Sequence, residues 1–348
     1  MDTEQLTPRV DRSIVRISGF HEDPVAPDYR EALHDLIRSH APTLPLPGSG
    51  ETLRRWRIFA AIAEQDLTCA KLFESHADAL AILNELGQCR LVDVDQLWAV
   101  WCAEPPTHRV AVSSMPSSNG TVRIDGTKAW CSGAALVSHA LIGCWDDAGR
   151  QHLAAVDMDQ PGVQITSKGW NAVGMGSTGS VDVAFKQAVG TLVDTADRYV
   201  NRPGFLHGAA GVAACWYGAA TAIAAYVVDA ARRRPDDAHA MAHLGALDVA
   251  LAQASGLLSA AAQEIDSKPD DACSLAVRRA RLAVESAVET VLLRAPRALG
   301  AGPLCKNYHL ARLMADLPVF LRQSHAERDQ AVHGRALAEW EGSRLWAL

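Results

Sequence analysis

Trp170-Asn-Ala-Val-Gly-Met-Gly-Ser-Thr-Gly-Ser-Val-Asp-Val-Ala-Phe185 is the stretch on which the reading of this chain turns. Upstream of it, Gly126-Thr-Lys-Ala-Trp-Cys-Ser-Gly133 forms the second half of the same signal. Both strings sit in a β-patterned segment that lies between two long helical ones.

Working outward, Val181 to Phe185, Val163 to Thr166 and Leu153 to Met158 read as strands, and Leu141 to Trp145 leads into a turn at Asp146-Asp-Ala-Gly149. Val122 and Ile124 alternate into Asp125-Gly126, a hairpin-type turn signal. Glu104-Pro-Pro106 stops any helix, and Ser113 to Gly120 is turn-rich. A small β-domain is therefore expected over residues 99–200. Before it, Trp56, Phe59, Ile62 and Ala63 repeat at helical spacing, with Leu72, Leu80 and Leu83 following more loosely, so residues 1–98 read as a helical domain that persists to about Trp98. After it, Leu244, Leu247 and Leu251 mark one helix and Val284, Val288, Val291 and Leu292 another, stopping near Pro296 and Gly300. Residues 201–348 are expected to form an antiparallel helical bundle. The fold class is α+β and mainly α.

The 348 residues are 49% hydrophobic and 21% charged, ordinary for a globular protein, and suffice for two or three domains. The net charge of −7 and the absence of a basic run argue against a nucleic-acid footprint. Eight cysteines are scattered without a C-x-x-C pair and read as reduced, buried, small hydrophobes, with no metal site. The N-terminal residues lack a signal-peptide pattern, and the apolar run Ala209 to Ala231 reads as a buried core helix rather than a membrane span. A cytoplasmic location is expected.

The order helical, β, helical, with these strings in the middle, resembles the acyl-CoA dehydrogenase family of flavoproteins. Ala63-Glu-Gln-Asp-Leu-Thr68 with His76 looks like that family's first-domain helix pair. Trp101-Cys-Ala-Glu-Pro105 is similar to its flavin-contacting Thr-Glu-Pro turn, with Ala103 in place of Thr, and Trp130-Cys131-Ser132 resembles its Trp-Ile-Ser/Thr string. The resemblance implies FAD, with Cys102, Ala103, Trp130, Cys131 and Ser132 beside the ring. Physically, Trp130 offers the wall that a flat ring needs, and Ser132 a hydroxyl for its polar edge. The bland alternative is a strand with a core Trp and a surface Ser.

Gly300, Ala301 and Gly302 stand where the family has a glycine turn touching the flavin of a neighbouring subunit, which implies a homodimer or homotetramer. Their plain role is a helix C-cap. Arg232-Arg-Arg234 stands where the family has an Arg that binds the cofactor's pyrophosphate, but no Phe-Gly follows. Arg233 and Arg234 are the candidates, and a helix-end cation is the plain alternative.

Family dehydrogenases use a Glu base on an acyl thioester. Counting from Arg312 and Asp316, which resemble an Arg-x-x-x-Asp segment, that position is Ser324. The family's alternative position falls near His207. His325 and Glu327 are the neighbouring candidates, His325 for its near-neutral titration and Glu327 because one helical step would return it to the face of Ser324. Each has a plain reading as a capping or ion-paired residue. The resemblance implies a FAD-dependent oxidoreductase acting on a CoA- or carrier-bound acyl thioester, with an electron-transfer partner. A flavin-dependent monooxygenase and a non-catalytic accessory subunit are the rivals.

Overall fold

A computed structural model describes residues 28–103, 105, 107–112, 120–342 and 345–346, together with Val15 and Ile17. The expected turns at Glu104-Pro-Pro106 and 113–119, and the reading of the first residues, lie in whole or part outside the described residues.

Three helices open the described chain: α1 (Tyr29–His40), α2 (Thr52–Gln65) and α3 (Leu67–Glu85). Asp66 separates the last two in extended conformation, and its carboxylate caps α3 by accepting from the Cys69 N–H at 2.8 Å. Trp56, Phe59, Ile62 and Ala63 are all buried, as their spacing requires. Helix ends earlier than the sequence suggests, however. Gly87, at φ +70°, follows the end of α3, and Trp98 begins a strand.

Seven strands follow: β1 (Trp98–Trp101), β2 (Val110–Val112), β3 (Thr121–Cys131), β4 (His139–Trp145), β5 (Gln151–Asp157), β6 (Val163–Ile165) and β7 (Val181–Leu192). Pairing runs β4–β2–β3–β7–β5 and returns from β5 to β4, so five strands close into a small barrel. β1 lies outside on β4, in parallel, and β6 outside on β7. The free edge of β1 is covered by α3. The Trp98 N–H donates to His76 Nδ1 at 3.1 Å and the Val100 N–H to Ser75 Oγ at 3.0 Å. Asp125-Gly126 is not a hairpin turn. β3 runs through it with a register shift, and Gly126 sits at φ +130° because a Cβ there would collide with the Arg109 carbonyl on the adjoining segment.

The second helical part holds α4 (Arg198–Asn201), α5 (Pro203–Arg233), α6 (Ala238–Ser267), α7 (Ser274–Leu299), α8 (Ala301–Lys306), α9 (Tyr308–Leu321) and α10 (Glu327–Ala338). Pro296 lies inside α7, which ends only at Gly300. α5 and α6 are both long and apolar enough to cross a membrane by length and composition, but α5 is largely buried within the protein. Its Gly218 lets α2 approach so closely that a Cβ would collide with the Ala60 backbone. α6 packs on α5 and α7 and leaves Met241, Val249 and Leu257 exposed. None of the eight cysteines forms a disulfide. Five are buried, Cys102 is partly so, and Cys89 and Cys305 are exposed, so burial is not their common property.

Candidate active site

Two strand ends and a loop meet at one end of the barrel. Trp101, at the end of β1, donates from its indole N–H to the Ser132 carbonyl at 3.1 Å. β3 is irregular between Lys128 and Cys131, and Trp130 there takes φ 58°. That twist turns the Trp130 ring outward, 49% exposed, while Cys131 and Ser132 turn inward. Cys102 is partly buried and Ala103 exposed just beyond β1. The structure thus joins Trp101 to the Trp130-Cys131-Ser132 segment, whereas Cys102, the next residue along, packs on the other side with the cluster around Tyr199 and is not brought to Ser132.

Loop 170–180 supplies the floor. Ser132 Oγ and Ser180 Oγ lie 2.8 Å apart, and so do Ser180 Oγ and Thr178 Oγ1; Thr178 donates to the Met175 carbonyl at 2.7 Å. Each hydroxyl has one hydrogen, and a carbonyl can only accept. The relay therefore has one direction, Ser132 to Ser180 to Thr178 to Met175. Ser132 spends its hydrogen inside the protein and presents only lone pairs outward. The hydroxyl expected at the polar edge of a ring is therefore, with this relay intact, an acceptor there.

The loop is clamped from the helical side. The Met175 N–H donates to Asp316 on α9 at 2.5 Å, and Gly174 lies so near Ala315 that a Cβ would strike its carbonyl. Arg312, one turn before Asp316, holds both Asp316 (3.2 Å) and Asp66 (3.1 Å) and donates to the Tyr29 hydroxyl at 2.7 Å. Burial pushes the Asp66 carboxyl up, and Arg312 pulls it back.

The C-terminal candidates fall elsewhere along the bundle. Ser324 is buried, and its hydroxyl donates to Glu285 on α7 at 2.5 Å. Glu285 also accepts from Arg322 at 2.8 Å. One turn earlier on α7, Arg281 is half-buried against the Trp216 ring, 5.0 Å from its centre, and donates to the Ala209 carbonyl. His325 is 63% exposed at its side chain, with Nδ1 3.7 Å from Asp329. The assumption that residues 324–327 share one helix is corrected: Ala326 takes φ 46°, α10 begins at Glu327, and Glu327 is exposed rather than returned to the face of Ser324. Near the family's alternative position, His207 is buried with Nε2 2.9 Å from the Asp271 carbonyl, and burial lowers its pKa.

At the far end of α5, Arg234 donates to the Ala298 carbonyl at 2.7 Å and pairs with Asp237 at 3.0 Å. Its guanidinium thus closes the bundle against the turn at Gly300, which takes φ +72° between α7 and α8. Arg233 is exposed in the last turn of α5, and Ala301 and Gly302 open α8. Sequence reasoning passed over Glu285 and Arg281, although their four-residue spacing among Val277, Val284 and Val288 places charge on a buried face. It also passed over Lys128, which is fully buried and donates to the Gly143 carbonyl at 3.0 Å.

No family model matches the sequence, and no curated protein does. Solved structures do. FMN-bound TdsC from Paenibacillus sp. A11-2, a dibenzothiophene monooxygenase, superposes with a TM-score of 0.76 at 19% identity over 88% of this chain and 89% of its own. The chain has the acyl-CoA dehydrogenase fold. Methanesulfinate monooxygenase MsuC from Pseudomonas fluorescens gives a TM-score of 0.74 at 18% identity over 89% of this chain and 90% of its own. FkbI, described as serving biosynthesis of a methoxymalonyl extender unit, gives 0.74 at 18% over 89% and 93%. Within this fold, the residues at the barrel end fit a flavin: the outward Trp130 offers a flat apolar face, and Ser132 an acceptor for a ring N–H.

Proposed function

We propose that this chain is a flavin-dependent oxidoreductase of the monooxygenase kind rather than an acyl-CoA dehydrogenase. The observation that carries this reading is Ser324, bonded to Glu285, at the position where the resemblance calls for a carboxylate base. A hydroxyl engaged in this way is a poor base for an α-proton. The likeness to TdsC and MsuC, both monooxygenases, supports the same choice. Bound flavin would supply the redox and oxygen chemistry. Trp130 would hold its ring, Ser132 would orient its edge, and loop 170–180 would exclude water beneath. Ser324 would handle a proton, with Glu285 positioning its hydroxyl.

FMN is the proposed form. The guanidinium of Arg234 is committed to Ala298 and Asp237, which leaves less charge for a second phosphate. A reductase that delivers reduced flavin or electrons is the proposed partner. The chain is proposed to assemble with itself through the exposed apolar face of α6.

Glu285 favours a second reading. A buried carboxylate one hydrogen bond from Ser324 gives acyl-thioester dehydrogenation a base from another helix. One experiment separates the two. The flavin released from purified protein is identified by mass spectrometry, and the reduced holoprotein is exposed to oxygen beside an anaerobic titration of the oxidised form with acyl-CoA. Oxygen consumption beyond that of free reduced flavin supports the monooxygenase; bleaching by acyl-CoA without oxygen overturns it. Protein that neither retains nor takes up flavin sinks both readings and returns the accessory-subunit rival.

A further inference from the structure

A cavity of about 580 Å³ lies where the second half of α3 faces the start of α5. The loop before α2 and the loop between α6 and α7 close over it: Gly48 sits so near Pro269 that a Cβ would lie 2.9 Å from its side chain. Most charges on its wall are already matched. Arg202 holds Glu85 at 2.5 Å, Glu85 also accepts from the Gly204 N–H at 3.0 Å, and Arg198 pairs with Asp194 at 3.4 Å.

Asp78 is different. It projects from α3 into this cavity and makes no hydrogen bond or ion pair with another described residue. The residue is half-buried, its carboxylate lies against Gly208 of α5, and burial, then the like charge of Glu74, push its carboxyl up to about 6. Arg202, Arg55 and Lys71 act on it only at longer range; Arg202 gives its Nη1 to Glu85, while its buried Nε has no hydrogen-bond partner among the described residues. A half-buried carboxylate without a close partner is costly, and a cation is what relieves it. Around it the wall is mixed. Leu46, Pro47, Leu86 and Pro203 give apolar surface, and Asn84 and Asn201 give neutral polar groups. A small organic body fits such a wall better than a bare ion does.

We propose that this cavity binds a small amine-bearing molecule, its ammonium group seated on Asp78 and its carbon body against Leu46, Pro47 and Leu86. None of its lining residues belongs to the barrel end, although His207, near the family's alternative base position, is among them, so the proposal rests on Asp78 and not on the flavin reading.

The test is ligand-observed saturation-transfer NMR on the purified full-length protein with millimolar benzylamine, benzyl alcohol and benzoate, three probes of similar size that differ in charge. Benzylamine is expected to receive saturation, and the other two at least fivefold less. Asp78→Asn should weaken benzylamine binding about tenfold or more. Ser49→Trp, placed on the exposed lip of the cavity, should block it without touching Asp78. Equal transfer to all three probes, preference for benzoate, or benzylamine binding that survives both substitutions overturns the proposal. Circular dichroism of each variant shows that the fold is kept, and if Asp78→Asn does not fold, Ser49→Trp alone decides.

Discussion

Ser324 and Glu285 are joined by a 2.5 Å hydrogen bond that ties the turn after α9 to the middle of α7. Ser324→Ala removes the donor and leaves a buried carboxylate with Arg322 as its remaining close partner, a loss of about 1–3 kcal/mol. Urea unfolding should show it. On a verified substrate, Ser324→Ala is expected to lower turnover by about 10²-fold or more, the usual weight of a proton-handling group. His325→Ala and Glu327→Gln, both at exposed positions, should stay within about tenfold of the parent. The reverse ranking would return the role to His325.

Trp130→Ala and Ser132→Ala should each reduce flavin content, by different routes. The first removes the apolar face; the second breaks a relay whose remaining hydroxyls, Ser180 and Thr178, are buried. Flavin absorbance per protein is the readout. Unchanged content and spectrum in both variants would place the flavin elsewhere.

Gly174→Ala is expected to open loop 170–180 away from α9, because the new methyl group meets the Ala315 carbonyl rather than a side chain that can turn aside. Flavin content should fall together with stability. A variant with parental melting temperature and flavin content would show that the loop is not clamped as described.

Two groups on α3, buried His76 and half-buried Asp78, give opposite pH dependence. Burial lowers His76 to about 4 from 6.5, and its Nδ1 must stay unprotonated to accept from Trp98. The unfolded chain binds the proton more tightly, so this stabilisation is complete above pH 6.5 and is lost as pH falls toward 4, by about 3 kcal/mol. His76→Asn keeps an acceptor and should flatten that slope. Asp78 runs the other way: pushed up from 3.8 to about 6, it destabilises the fold as pH rises through that window. Asp78→Asn should therefore stabilise the protein at pH 7 and make no difference near pH 3.5. A parallel shift at every pH in either variant would mean that titration is not the cause.

Assembly is testable at α6. Val249→Glu places a charge on the exposed apolar face and should shift the sedimenting species toward the monomer at micromolar concentration. If the parent is already monomeric there, the assembly proposal falls.

The sequence showed the helical–β–helical order because Trp56, Phe59 and Ile62 repeat at helical spacing and Val181 to Phe185 alternates. It hid β1, since Leu97 to Trp101 is a continuous apolar run with no period. Gly126 misled because the same residue suits a turn or a bulge, and only the Arg109 carbonyl beside it decides. Ser324 was found by counting, but Glu285 lies 39 positions away, and nothing local in a helix announces a partner so distant. Asp78 was invisible for the opposite reason, since its distinction is a partner that is missing.

α3 has two occupations at once. Ser75 and His76 carry the edge of β1, whose Trp101 ends on Ser132, while Asp78 and Glu85 on the same rod face the α5 cavity. Ser75, His76 and Asp78 share a single turn in the middle of the rod, so whatever coupling links an occupant of the cavity to the seat of Ser132 runs through that turn and is equal in both directions.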